Sequence, residues 1–397
     1  MRISLLPKVR FRDLAAPLRR RSRSALDARI SYTYDGRAAI YQVLKALPPK
    51  PGACVLVPGF HCPTVVDPVL QAGHAVRYYR IKRDLTIDEH DLHMKLDGEV
   101  SAVIVIHYFG FPAKLDTVLE RKQSDRFVLI EDCAHSFLQD DPPRLTGGHG
   151  DAAIYSFRKL VAMHAGGAIR LNNRSIKVPT PARSLAPRQY AVMLKRMFEQ
   201  ACVSSDLAWV RQGFEYFESR RVRARRRKPR PAQSSNPGRN DSSDPYRFDI
   251  DLANTRLPGL SRRILDRTDL GKVARARREN YRRLAHVLRD GAFMSRVYPD
   301  LPDEVCPWVF PILVPNRDHY DHRLRKLGVP VSTFGELLHS SIHELKKGDA
   351  ALDDARYLSD TLLMIPVHQD LGLRQVSEYA ETINRFFEQL PHVETQG

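Results

Sequence analysis

Apolar positions in this chain fall into short, nearly unbroken runs, separated by stretches of helical spacing. ACVLVPG (53–59), AVRYYRI (75–81), SAVIVIHYFG (101–110), RFVLIEDC (126–133), GDAAIYSF (150–157) and GGAIRLN (166–172) read as strands. GRAAIYQVLKAL (36–47), TVVDPVLQAG (64–73) and LDTVLERKQ (115–123) read as helices between them. Strands that are apolar on both faces and alternate with helices predict an α/β fold with a mainly parallel sheet flanked by helices. This large domain spans 31–175, and 176–253 reads as a less regular connecting region. Residues 254–397 predict a smaller C-terminal α/β domain. Its elements are a helix over 272–290, a strand over 306–314, a mixed segment over 358–368 and a closing helix over 376–390. Ligands of such sheets sit beyond the carboxyl ends of the strands. That singles out His107, Asp132, His135, Ser156 and Lys159.

Composition narrows the class. With 397 residues, 43% hydrophobic and 27% charged, the chain has ample material for a core, and collagen, coiled coil and general disorder are excluded. No run reaches the roughly 18 apolar residues of a membrane span. Five cysteines without a CxxC fit neither a disulfide framework nor a zinc site and predict a reducing, cytoplasmic setting. The net charge of +17 would suit a nucleic-acid binder, but its distribution argues otherwise. A basic N-terminal arm (1–30) carries +7 and residues 220–230 carry +8, so the remainder is nearly neutral. The second block lies in a Pro/Ser/Asn-rich insert (219–247) whose composition predicts disorder. The arm has apolar residues at Leu5, Leu6, Val9, Phe11, Leu14 and Leu18, which leaves a weak membrane-surface contact open. No specific nucleic-acid partner is expected.

The sharpest chemical feature is IEDCAH (130–135) followed by YSFRK (155–159). A carboxylate ends one apolar strand, and a Ser-x-x-Lys follows at the end of another. This pairing suits pyridoxal 5′-phosphate (PLP). A lysine bonds to the cofactor aldehyde and moves a proton, a carboxylate holds the ring nitrogen protonated, and a hydroxyl holds the phosphate. The same two residues would also satisfy a plain salt bridge at a sheet end. His61, His107 and His135 lack metal-ligand spacing, so no metal site is expected. Cys133 reads as a small buried filler, Cys62 as a plain loop cysteine, and Trp308 as core.

Several stretches in fixed order resemble the nucleotide-sugar aminotransferase family (the DegT family) of fold type I PLP enzymes. They include YDGRAAIYQVL (34–44), VLVPGFHCPTVVDPVLQAG (55–73), LIEDCAH (129–135), GDAAIYSFRK (150–159), NTRLPGL (254–260), PWVFPILV (307–314) and LLMIPVHQDL (362–371). The resemblance implies that Lys159 is the catalytic lysine, that Asp132 pairs with the ring nitrogen and that His135 lies beside the ring. It also implies that Ser156 holds the phosphate together with Gly36, Arg37 and Ala38 at a helix start, a position suited to anions. It implies a homodimer with shared sites, in which Asn254 and Arg256 reach the partner's cofactor. Two departures stand out. The Ser-to-Lys spacing is one residue shorter than is common in the family, and His164-Ala165 replaces an acidic residue before Gly166-Gly167.

The expected function is amine transfer from an amino acid, glutamate above all, to a nucleotide-linked keto sugar. The product would enter a polysaccharide, lipopolysaccharide or antibiotic sugar. A family branch that removes a hydroxyl carries His at the lysine position, so Lys159 favours transamination. The alternatives are another PLP reaction on the same scaffold, and a PLP-fold binding protein that uses its basic appendages.

Overall fold

The computed structural model describes residues 6–14, 29–48, 52–139, 144–204, 209–210, 212–213, 248–336 and 350–390. A seven-stranded sheet organises the large domain. Its strands are β1 (Ile30–Thr33), β2 (Cys54–Pro58), β3 (Ala75–Tyr79), β4 (Val100–Ile106), β5 (Val128–Asp132), β8 (Ala152–Ser156) and β9 (Gly167–Leu171), and β6 (Leu138–Gln139) with β7 (Arg144–Leu145) forms a small hairpin beside it. The order across the sheet is β1-β9-β8-β5-β4-β2-β3. Strands β3, β2, β4, β5 and β8 run parallel; at one edge β9 pairs antiparallel with β8, and β1 pairs antiparallel with β9. Every residue of β2 and β8 is buried, as near-continuous apolar strands require when helices cover both faces.

Helix α1 (Phe11–Leu14) precedes the sheet; α2 (Gly36–Lys45), α3 (Val66–Gln71), α4 (Glu89–Lys95) and α5 (Asp116–Ser124) connect the strands, and α6 (Pro187–Val203) follows β9. The sequence reading left 176–253 irregular, yet α6 runs 17 residues there. It buries Met193, Met197 and Ala201 at four-residue spacing. The Pro-rich stretch just before it masked that period. The basic block 220–230 and the rest of the insert 219–247 lie outside the described residues.

The C-terminal part is built around a four-stranded antiparallel sheet of β10 (Ser295–Arg296), β11 (Val309–Leu313), β12 (Ser332–Thr333) and β13 (Leu362–Pro366), in the order β10-β11-β13-β12. Helices α7 (Gly259–Arg267), α8 (Leu270–Val287), α9 (Arg317–Lys326), α10 (Ala350–Thr361) and α11 (Leu373–Glu388) complete it. A second apolar cluster, with Tyr281, Phe310, Ile365 and Ile383 among its members, is its own core.

The N-terminal arm departs from its expectation over residues 6–14. Val9 is buried in the main core, with Leu6 and Leu14 packed against it, and the Phe11 ring meets Phe198 of α6 at 5.7 Å. The Lys8 N–H donates to Asp370 at 2.8 Å, and the Arg10 guanidinium pairs with the same carboxylate at 3.0 Å. Of the apolar positions read as a membrane-facing set, Leu6, Val9 and Leu14 pack into the protein's own interior, and Leu5 and Leu18 lie outside the described residues. Among the described residues, no helix is long and apolar enough to cross a membrane.

Candidate active site at the strand ends

Asp132 closes β5, and Ser156 closes the neighbouring parallel strand β8, so their side chains emerge at the same end of the sheet. A tight turn over Phe157–Lys159 follows β8 and delivers Lys159 beside them. The shortened Ser-to-Lys spacing therefore costs nothing in reach, because a turn of 3₁₀ type covers it. Asp132 is buried and accepts one short hydrogen bond, from the Ala134 N–H at 2.9 Å. Burial pushes its pKa up, and the nearby Lys159 charge offsets part of that rise. Lys159 is pushed the other way, down to about 8, because its ammonium is desolvated; Cys62 and Asp132 oppose the shift. The two groups thus sense each other across a dry site.

An aromatic wall closes it. The Lys159 Nζ lies 4.5 Å from the centre of the Trp308 ring. His135 packs on Trp308 at 4.2 Å and on Phe109 at 5.6 Å, with Phe334 edge-on at 5.0 Å. Burial, aided by Lys159, holds the His135 imidazole well below its ordinary pKa, so it is neutral. Its Nδ1 accepts from the Phe109 N–H at 3.5 Å, which puts the ring proton on Nε2. Phe109 occupies the left-handed backbone region (φ 56°), an uncommon state for a bulky residue. Gly110 follows at φ 113°, where an added Cβ would lie 2.6 Å from the Cys306 carbonyl. This strained turn after β4 sets Phe109 against His135 and lets its carbonyl accept the Trp308 N–H at 2.7 Å.

The opposite end of the site is the start of α2. A Cβ on Gly36 would lie 3.6 Å from the Ser156 Cβ, so the helix N-terminus and the serine are neighbours. Gly167 admits no side chain, since a Cβ there would lie 2.2 Å from the Asp35 backbone; this lets β9 pass close under the helix start. One expectation is corrected here. The Ala38 N–H is already taken by the Asp35 side chain, the N-cap of α2, at 2.9 Å. The Arg37 guanidinium pairs with Asp35 at 3.0 Å.

Asn254 and Arg256 are not brought to Lys159 within one chain. They are exposed and tie their segment to the connecting region: Asn254 Oδ1 accepts from the Ala182 N–H at 3.1 Å, and Arg256 donates to the Ala182 carbonyl at 2.6 Å. His61 and His107 stay apart from this wall. His107 Nε2 donates to Glu131 at 2.9 Å, and His61 stacks on Tyr78 at 5.4 Å. Among the described residues no three His, Cys, Asp or Glu side chains group as a metal site, and all five cysteines are free. The sequence reading missed Phe109, Phe334 and Arg277 and gave Trp308 only a core role.

The α/β architecture is shared with solved aminotransferase structures. Structures with this architecture include a DegT/DnrJ/EryC1/StrS aminotransferase from Brucella abortus (TM-score 0.64, 18% identity, 91% of this chain and 86% of that one). Another is DesV from S. venezuelae (TM-score 0.62, 15% identity, 98% and 91%). Residues 31–182 are similar to the DegT/DnrJ/EryC1/StrS aminotransferase family. Similar curated proteins include a GDP-perosamine synthase of Escherichia coli O157:H7, 23% identical over 145 residues (36% of this chain, 40% of that protein). A UDP-N-acetyl-3-dehydro-alpha-D-glucosamine 3-aminotransferase of Acidithiobacillus ferrooxidans is 26% identical over 138 residues (34% and 37%). The matched region spans about two fifths of the length of these relatives.

Proposed function

We propose that the protein is a PLP-dependent aminotransferase that moves an amino group from an amino acid, glutamate in the first instance, to a nucleotide-linked keto sugar. The observation that carries this reading is the meeting of Asp132 and Lys159 at the ends of adjacent parallel strands, each with its pKa displaced by burial. When bound, PLP supplies the electron sink that lets an amine and a proton be exchanged between two substrates. The residues fit that cofactor from end to end. Asp132 would pair with the ring nitrogen and hold its proton. Ser156, with the start of α2 at Gly36 and Arg37, would hold the phosphate. The neutral His135 would lie beside the ring and offer its Nε2–H.

Lys159 would bond to the cofactor and move the proton. With a pKa of about 8, about one molecule in ten carries the free amine at pH 7; at an ordinary lysine pKa it would be about one in three thousand. Trp308, Phe109 and Phe334 keep water from it. Similarity to proteins named for sugar amination supports the sugar-nucleotide class, as does the retained lysine. A homodimer with Asn254 and Arg256 facing the partner's site is part of the same reading, as is a cytoplasmic setting, which the five free thiols support. Incubation with PLP, borohydride reduction and peptide mapping test the core of it. A visible absorbance band and a label on Lys159 are expected; a protein that stays colourless, or a label elsewhere, rejects it. Amine exchange between glutamate and 2-oxoglutarate then tests the donor.

A further inference from the structure

Arg277 lies in α8, in a run of basic residues that reads as a solvated helix face, yet it is fully buried. No carboxylate pairs with it among the described residues. Its guanidinium is satisfied by neutral oxygens: Nη1 donates to the Trp308 carbonyl at 2.9 Å and the Pro307 carbonyl at 3.4 Å, Nη2 to the Lys159 carbonyl at 3.3 Å, and Nε to Gln369 Oε1 at 3.1 Å. Gln369 then donates its amide to the Leu160 carbonyl at 2.9 Å. Burial without an acid costs the cation enough to pull its pKa down to about 10, with Cys306 and Asp370 offsetting part of the shift. An apolar side chain would fill this position at less cost.

That cost secures one geometry. Lys159 and Trp308 come from distant parts of the chain, and their side chains meet at 4.5 Å. Arg277 holds the backbone carbonyls of both residues on one planar fork, whose donors are fixed relative to one another. We propose that Arg277, with Gln369, is a positioning residue that sets Lys159 against Trp308 and fastens the lysine turn to the C-terminal domain. The Lys159 amine is thereby kept in the dry site, where Asp132 and Cys62 favour its charge, Arg158 disfavours it, and His135 is neutral beside it. The inference rests on the proposed role of Lys159 but is read without cofactor, so the two fail separately.

The test titrates Lys159 in the cofactor-free protein. Trace acetic anhydride is applied across about pH 6 to 11, and acetylation of Lys159 is read by peptide mass spectrometry. In parallel, Trp308 emission is followed in a Trp209→Phe background. The parent should show a midpoint near that of a depressed lysine in both signals. Arg277→Met should raise the midpoint by about one unit, which lowers acetylation at pH 7 about ten-fold. Arg277→Lys, able to reach one carbonyl at a time, should restore part of the shift. Gln369→Ala removes the Arg277 Nε acceptor and the link to Leu160 but keeps the fork on the two backbone carbonyls; it should shift the midpoint less and in the same direction, and it carries the test if Arg277→Met does not fold. An unchanged midpoint in Gln369→Ala and in any folded Arg277 variant, with only a lower melting temperature, overturns the proposal.

Discussion

Two acids sit side by side at the end of β5 and face opposite sides of the sheet. Both are buried, and their surroundings make them different groups. Glu131 is fully engaged: one oxygen accepts the His107 Nε2–H at 2.9 Å, and the other accepts the His149 and Gly150 N–H groups at 2.8 and 2.5 Å. Burial alone would raise its pKa, but these hydrogen bonds and the attraction of His107 win, and the net shift is downward. Asp132 has one short backbone donor and the lysine beyond it, and burial wins there. A saturated carboxylate is bonded into the fold. An under-supplied one is held ready for a group that arrives later. The same contrast separates His107, whose Nδ1 also accepts from the Ala113 N–H at 2.9 Å, from His135 in the aromatic wall.

The largest expected effect falls on the active side. Asp132→Asn should lower turnover about a thousand-fold, the order seen when a group acting in the transition state is removed, while the cofactor-free fold persists. On the other face, Glu131→Ala should leave the His107 proton and two backbone amides without an acceptor and cost about 3 kcal/mol in urea unfolding. A comparable loss of stability from Asp132→Asn would erase the distinction between the two acids.

Acid titration sharpens it. The Glu131 pKa is lowered in the folded state, so its stabilisation is present above the ordinary carboxylate pKa and is lost as pH falls through the folded value. Asp132 has the opposite sign. Its raised pKa means that the favourable contribution exists only below the ordinary value and is lost as pH rises through the folded one. Urea midpoints of Glu131→Gln should therefore lie below the parent at neutral pH and converge on it in acid. Those of cofactor-free Asp132→Asn should lie at or above the parent at neutral pH and lose that advantage in acid. Parallel curves for the two variants would show that burial acts equally on both.

Much of this was legible in the sequence, because it is local. Period and run length marked β5 and β8, and the residues that close them are the ones a parallel sheet presents to a ligand. What stayed hidden is what only long-range contact decides. In RARRENYRRL (275–284), nothing local separates the buried Arg277 from the exposed Arg275, Arg282 and Arg283; its partners at Lys159 and Gln369 are 118 and 92 residues away. Trp308 was assigned to the core, and it does pack there, but no period reveals that its other face meets a lysine amine. The resemblance assigns Asn254 and Arg256 to a partner's cofactor, and the bonds they make inside one chain run to 182 and 183. Charge counting also failed over residues 6–14, because an arginine paired with an acid far along the chain looks the same as one in water.

That arm supplies the smallest effect. Asp370 receives the Lys8 N–H and the Arg10 guanidinium, and it is the neighbour of Gln369 in the clamp on the lysine turn. Arg10 is nearly a third exposed, so solvent screens the ion pair and most of its value lies in the hydrogen bonds. Asp370→Asn should cost about 1 kcal/mol in urea unfolding, and the difference from the parent should narrow in high salt. Val9→Ala should cost a similar amount through lost burial, independent of salt. If Asp370→Asn is silent while Val9→Ala is not, the arm is held by its one apolar anchor, and its charges are as solvated as the sequence first suggested.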